Sequence, residues 1–283
     1  MTIATPHAQA PHPTAPRTFR FGVVASPDGG PEAWIATARR AEELGYATLL
    51  MPDVLQLLSP FPSLAVAASV TRTLRVGTFV LAGPMRTPRA AAWDAHTLSV
   101  LSGGRFELGI GAGRPEVREY AAELGLPYGT ADERLDQVAA TIADLRRLDG
   151  ERHTPVVMAA GGPKALALAA RIADVVTFPP ASLPTRAEAL TLVGSLRDGA
   201  GERAERIELG SSLFVIGDEV PPWTQHFIGA DPAPDSLNML RGTTTEMADE
   251  LRRRRDTFGV SYLSVHGAFM EALAPVVERL NGR

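Results

Sequence analysis

The 283-residue chain has no cysteine, which excludes disulfides, thiolate nucleophiles, cysteine-bound zinc and iron–sulfur clusters together. It has no apolar run long enough to span a bilayer. It also lacks a charge excess of either sign: 28 Lys+Arg stand against 32 Asp+Glu, a net charge of −4. No basic stripe interleaved with aromatics is present, so neither nucleic acid nor membrane is an expected partner. The single basic cluster, Arg252-Arg-Arg-Arg255, follows Glu246, Asp249 and Glu250 in a helical pattern and reads as a solvated, ion-paired helix face. Residues 1–18, rich in Ala, Pro, Thr and His, lack the basic start and apolar core of a signal peptide. They are expected to form a disordered tail on a cytoplasmic protein whose residues 19–283 make one domain.

What is present is a regular beat. Short β-type apolar runs occur at Phe21–Ala25, Ala47–Met51, Leu74–Leu81, Arg105–Gly111, Val156–Ala160, Asp174–Phe178, Ile207–Ile216 and Ser261–Val265, separated by helix-length segments. The helical patterns include Pro31–Leu44 with Gly45 behind it, Pro88–Leu101, Asp132–Leu148, Thr243–Phe258 and Phe269–Leu280. Eight such units predict a closed α/β architecture, the TIM (β/α)8 barrel, with a shortened segment before strand five. Between Gly217 and Leu240 lies a long Pro-rich loop containing Trp223, His226 and Phe227, on the face where such barrels carry their sites.

The fourth strand ends in Gly109-Ile-Gly-Ala-Gly113. Alternate glycines leave room for another backbone or a flat ligand. A Rossmann reading of this run is weaker, because no acidic residue closes a strand about 20 residues later. Further on, Gly161-Gly162 precede a helix opening at Pro163, which offers free N–H groups and a positive dipole end to a phosphate.

The stretch Arg86–Gly113, together with Leu74–Leu81, Glu133-Arg134-Leu135 and Ala160–Asp174, resembles the bacterial luciferase-like superfamily of flavin-dependent monooxygenases and deazaflavin-dependent oxidoreductases, in its actinobacterial deazaflavin branch. The resemblance implies coenzyme F420 as the first-choice cofactor and FMN as the second, held at the strand C-termini. It places Asp53, Phe79, Val80, Ala82, Ala112, Gly113, Arg114, Ala160, Gly161, Gly162 and Pro163 at the cofactor. It also implies a non-prolyl cis Phe79–Val80 bond, a small-molecule substrate and a homodimer through the helices flanking strand three.

The pattern departs from its relatives in four places. Val54, not His, follows Asp53; Arg114 occupies the slot of a Glu; Val80-Leu-Ala-Gly-Pro-Met85 lacks the Asn and Arg-His pattern of the deazaflavin relatives; and the excursion before strand five is missing. A sugar-phosphate dehydrogenase is therefore not expected. Two histidines on the expected site face, His266 at the end of strand eight and His226 in the long loop, are the candidates for proton transfer. His96 and His153 read as structural, and no histidine pair has metal-ligand spacing. Hydride transfer, or monooxygenation with reduced FMN, is the leading activity. A flavin-binding barrel without turnover is the alternative, and a cofactor-free isomerase using His266 and Asp53 ranks last.

Overall fold

In the computed structural model, which describes residues 16–179, 185–224 and 235–283, the apolar runs and amphipathic segments become strands and helices in alternation. The barrel strands are β1 (Arg20–Val24), β2 (Thr48–Met51), β3 (Arg75–Thr78), β4 (Phe106–Gly111), β5 (Val156–Ala159), β6 (Val175–Thr177), β7 (Glu208–Leu213) and β8 (Val260–His266). The helices are α1 (Gly30–Glu43), α2 (Pro60–Ser69), α3 (Pro88–Leu101), α4 (Val117–Glu123), α5 (Ala131–Asp149), α6 (Pro163–Ile172), α7 (Arg186–Ala200), α8 (Thr244–Phe258) and α9 (Met270–Leu280). Every neighbouring barrel pair is parallel, and closure runs from β8 to β1 and from β3 to β4. This is the expected (β/α)8 barrel, with α4 as an extra short helix between β4 and α5.

Local chemistry sets the helix ends. Thr130 and Glu133 make a reciprocal capping box on α5, as do Thr243 and Glu246 on α8. The latter helix stops at Gly259, whose φ of 83° is open to a residue without a Cβ. Alternation within the strands builds two apolar layers. Leu49, Met51, Val156, Met158 and Val176 pack outward under the helices, while Leu50, Val157, Val175 and Tyr262 fill the barrel itself.

Charge closes the N-terminal end of the barrel. Arg20 Nη1 and Arg75 Nε lie 2.7 and 2.6 Å from Glu107 Oε1, and Arg20 Nε lies 2.8 Å from Glu208. The Arg20 guanidinium also sits 3.6 Å above the Tyr262 ring. Burial works against the Arg20 charge, but Glu107, Tyr262 and Glu208 outweigh it and raise its pKa further.

Two strands are interrupted within the runs that the sequence predicts. The third breaks after Thr78, turns through a cis Phe79–Val80 bond, and resumes as Leu81–Ala82 against Ile110 and Gly111. Gly109 makes this possible: a Cβ there would lie 1.8 Å from the Thr78 carbonyl oxygen. The seventh ends at Leu213. Its continuation Val215–Ile216 leaves the barrel to pair with Met239–Leu240, drawn out by Asn238, whose carbonyl accepts from Phe214 N–H at 2.8 Å.

The arginine cluster also differs from expectation. Arg252 and Arg253 pair with Asp249 and Glu250 on the surface, but Arg254 is buried at 5% exposure. It donates to the carbonyls of Leu237 and Met239 as well as to Glu250, which places the return of the seventh loop on α8. Arginine can do this from inside a helix because its five donors reach loop carbonyls that would otherwise lack partners.

Candidate functional site at the C-terminal mouth

The opposite end of the barrel has a different make-up. Phe79 and Val24 are half-buried and cap the interior apolar cluster, so the floor of the mouth is hydrocarbon. Val80 turns toward β4, where a Cβ on Gly111 would meet its side chain at 3.2 Å. Ala112 and Gly113 follow with almost no side chain and are partly exposed. Gly109 and Gly111 therefore accommodate the bend of the neighbouring chain, and Ala112–Gly113 leave the open surface.

At the β2 end, Asp53 is buried with 2% of its side chain exposed. Its carboxylate accepts both Arg86 amino groups at 2.7 and 3.1 Å and the Ala82 N–H at 3.0 Å. The pair thus ties the end of β2 to the segment just beyond the bend in strand three. Asp53 and Arg86 stand 33 positions apart in the sequence, and nothing in that spacing shows that they meet.

Beyond β5, Ala160 N–H is held by the Thr177 carbonyl at 3.0 Å, and Gly161 and Gly162 lead into α6. Gly162 is the N-cap and supplies no capping side chain, unlike Thr87, Thr130, Thr185 and Thr243 at α3, α5, α7 and α8. A Cβ at Gly162 would meet nothing within 4 Å, so the start of α6 is sterically open. Pro163 is exposed, and Lys164 pairs with Asp132 at 2.6 Å. Arg114 is 57% exposed and 3.8 Å from Glu116. Its carbonyl accepts from Tyr128, whose ring carries Arg118 and Arg134 at 4.7 and 4.2 Å.

Across the ring at the β8 end, His266 is half-buried, and its Nδ1 accepts the Ala268 N–H at 3.2 Å. The Trp223 ring packs on the imidazole at 4.2 Å and 32°, and Phe269 lies 6.1 Å from Trp223. Burial lowers the His266 pKa, with Asp28 opposing it weakly. His226 lies outside the described residues. His96 bonds the buried Asp149 at 2.8 Å, and His153 bonds Asp174 at 3.1 Å near the start of β5, both away from the mouth. Among the described residues no group of His, Asp and Glu could hold a metal ion, and no helix is long and apolar enough to cross a membrane.

A family model described as luciferase-like monooxygenase matches residues 1–221. The chain belongs to the luciferase-like monooxygenase family. It is 31% identical to an F420-dependent glucose-6-phosphate dehydrogenase of Beutenbergia cavernae, with 55% of each chain covered. The match thus spans about half the length of that relative. The fold is that of the coenzyme F420-dependent tetrahydromethanopterin reductase of Methanopyrus kandleri, at a TM-score of 0.73, 18% identity, and 93% and 99% coverage. It is also that of the oxygenating constituent of 3,6-diketocamphane monooxygenase from Pseudomonas putida, solved in complex with FMN. That comparison gives a TM-score of 0.68, 15% identity, and 93% and 95% coverage. In this luciferase-like chain, Phe79, Val80, Ala112, Gly113 and Gly161–Pro163 come together on adjoining strand ends, β3 to β5. His266 stands across the barrel from them, four strands from β4 and three from β3 and β5.

Proposed function

We propose that the protein is a luciferase-like oxidoreductase that uses reduced coenzyme F420, or FMN as the second choice, on a small organic substrate at the C-terminal mouth. The observation that carries this reading is the uncapped, sterically open start of α6 beside an apolar wall of Phe79 and Val80 and the bare surface of Ala112–Gly113. This donor set suits a flat ring ending in a phosphate: hydrocarbon for the ring, and backbone N–H groups with a helix dipole for the anion. Gly161 and Gly162 would hold the phosphate, with Pro163, which has no N–H, setting the first turn of α6 and Ala160 shaping the approach. Phe79, Val80, Ala112 and Gly113 would border the ring, and Arg114 the polar chain between them. Asp53 acts through the Ala82 N–H and Arg86, holding the wall in place. Bound there, the deazaflavin supplies a hydride, and reduced FMN supplies electrons to oxygen. His266, neutral with Nδ1 engaged, presents Nε2–H as a hydrogen-bond or proton donor toward the mouth.

The test is a substitution that the fold tolerates and the phosphate does not. Gly162→Asp meets no steric obstacle and supplies a good N-cap, so the thermal midpoint is expected to hold or rise. Its carboxylate would take the phosphate position. FMN and F420 are then expected to bind about tenfold or more weakly, while riboflavin, without the phosphate, is unaffected. Equal losses for FMN and riboflavin would move the phosphate elsewhere.

A barrel that binds the cofactor without turnover is the second reading, favoured by Val54 in place of a donor after Asp53 and by the engagement of Asp53 with Arg86. Tight cofactor binding with no consumption of reduced cofactor across a carbonyl and alkene panel would support it. We also infer a homodimer through α2 and α3. Trp93 and Leu101 are 64% and 75% exposed on α3, and Val66 is 41% exposed on α2. Trp93→Glu is expected to shift the mass measured by light scattering from dimer to monomer.

A further inference from the structure

Where the chain leaves β4, arginines gather round one tyrosine. The Arg118 and Arg134 guanidinium groups lie 4.7 and 4.2 Å from the centre of the Tyr128 ring. The ring is itself fixed: Tyr128 packs on the apolar cluster of Ala82, Met85 and Val117, and its hydroxyl donates to the Arg114 carbonyl at 3.1 Å. Two like charges on one ring repel each other, and elsewhere in the fold a shared carboxylate offsets such repulsion. Arg20 and Arg75 meet on Glu107, and Arg186 and Arg254 on Glu250. Among the described residues neither Arg118 nor Arg134 has a carboxylate within ion-pair distance. Arg134 uses Nε and Nη1 on the Ala112 and Gly129 carbonyls at 3.0 and 3.1 Å, and keeps Nη2. Arg118 is exposed on α4 and touches the ring alone. The acidic side chains of α4, Glu119 and Glu123, stand about 100° and about 140° round the helix from it. Arg114 reaches only Glu116, at 3.8 Å, with both side chains more than half exposed. The cluster flanks the gap between Ala112–Gly113 and Gly161–Gly162. Arg134 hangs from the Ala112 carbonyl, and Lys164 and Asp132 tie the start of α6 to the start of α5 at 2.6 Å.

Resting on the cofactor reading above, we propose that the Tyr128–arginine cluster binds a carboxylate-bearing extension of the cofactor beyond its phosphate, and so prefers coenzyme F420 to FMN. FMN ends at its phosphate, whereas F420 continues from there into a tail of glutamate residues. Tail carboxylates take the donors that Arg118 and Arg134 keep, the pairing to which a guanidinium fork is suited. Contact with the Tyr128 ring holds both guanidinium groups beforehand, so less side-chain freedom is lost on binding. Each exposed pair contributes modestly and is screened by salt, so the preference comes from several carboxylates together.

The test separates F420 by tail length. A form without glutamate, a form with several, and FMN are each titrated into the full chain by fluorescence, at low and at high salt. At low salt the tailed form is expected to bind about tenfold more tightly than the tail-less form, and at high salt only about twofold. Arg118→Gln is expected to cut the low-salt advantage to about threefold, and Arg118→Lys to keep more of it. Tyr128→Leu, which removes the ring under both guanidinium groups, should cut it as far as Arg118→Gln does. Arg147→Gln is the control for net charge: it removes an exposed arginine from the last turn of α5, and the tail advantage should stay as it is. No tail advantage at low salt, or an advantage lowered as much by Arg147→Gln as by Arg118→Gln, overturns the proposal. So does binding of FMN with no form of F420. If the tail-less form and FMN bind but the tail adds nothing, only this inference fails. If no form of F420 binds and FMN does not either, the cofactor reading fails and takes this inference with it.

Discussion

The two ends of the barrel are built from the same eight strands yet hold opposite chemistry. At the N-terminal end the first residues of β1, β3 and β7 and the second of β4 are charged, and they neutralise one another in a closed network around Glu107. At the C-terminal end, hydrocarbon, glycine and uncapped N–H groups face outward, and a buried carboxylate, Asp53, held by Arg86, ties two loops together. The difference teaches where this chain places stability and where it places function. Charge at the floor is paired within the protein, with Glu107 Oε1 taking both Arg20 and Arg75 while Oε2 stays buried without a partner. Backbone donors and apolar surface at the mouth are left open to a ligand.

The sharpest way to break the contrast is to disturb the residue that links both ends. Gly109→Ala pushes a Cβ into the Thr78 carbonyl, where it would lie only 1.8 Å away, and the bend of strand three must move. We expect a loss of about 3 kcal/mol in urea unfolding, at the upper end for overpacking, accompanied by loss of FMN and F420 binding. Glu107→Gln attacks the floor alone. Arg20 and Arg75 keep a part of their side chains in water, so the cost is expected near the low end for a broken buried pair, about 3 kcal/mol. Cofactor affinity of the folded protein should not change. Comparable loss of affinity in Glu107→Gln would show that the two ends are not independent.

Asp53→Asn addresses the mouth alone. It keeps an acceptor for Ala82 N–H but leaves the Arg86 charge without its partner, at about 2 kcal/mol. Here cofactor affinity is expected to fall along with stability.

The mildest test is of pH. Burial alone would raise the Glu42 carboxyl, but the N–H groups of Thr73, Leu74 and Arg72 and the Thr73 hydroxyl outweigh it. Together they lower the pKa from 4.5 to about 2. A carboxyl with a depressed folded pKa contributes stability above 4.5 that is lost as pH falls toward 2. Glu42→Gln should therefore flatten the urea midpoint across that window and leave it unchanged in slope above it. Glu42 anchors the turn into β3, so cofactor binding at neutral pH should be indifferent to the change.

Much of the fold was legible because strand and helix periods differ and because caps are local. Thr130 and Glu133, Thr243 and Glu246, and Gly259 announce their ends within a few residues. The bend at Phe79–Val80 was implied by the family resemblance and not by local pattern, and the break of strand seven was not legible, since Phe214 is as apolar as its neighbours. Contacts across the ring decide them: the missing Cβ of Gly109 for one, and the Asn238 carbonyl for the other. Arg254 shows the same limit. Its charge pattern matched a solvated face, yet two loop carbonyls drew it inside.

The sequence by itself determined the element order, the barrel and its luciferase-like membership, because apolar periodicity, capping residues and the glycine-rich fourth strand are carried by residues near one another in the chain. The tertiary structure alone decided which side chains share a site. It paired Asp53 with Arg86, set Trp223 on His266, and placed those two across the barrel from Gly161–Gly162. Ring closure brings these partners together over separations of tens of residues, and no local spacing records that geometry.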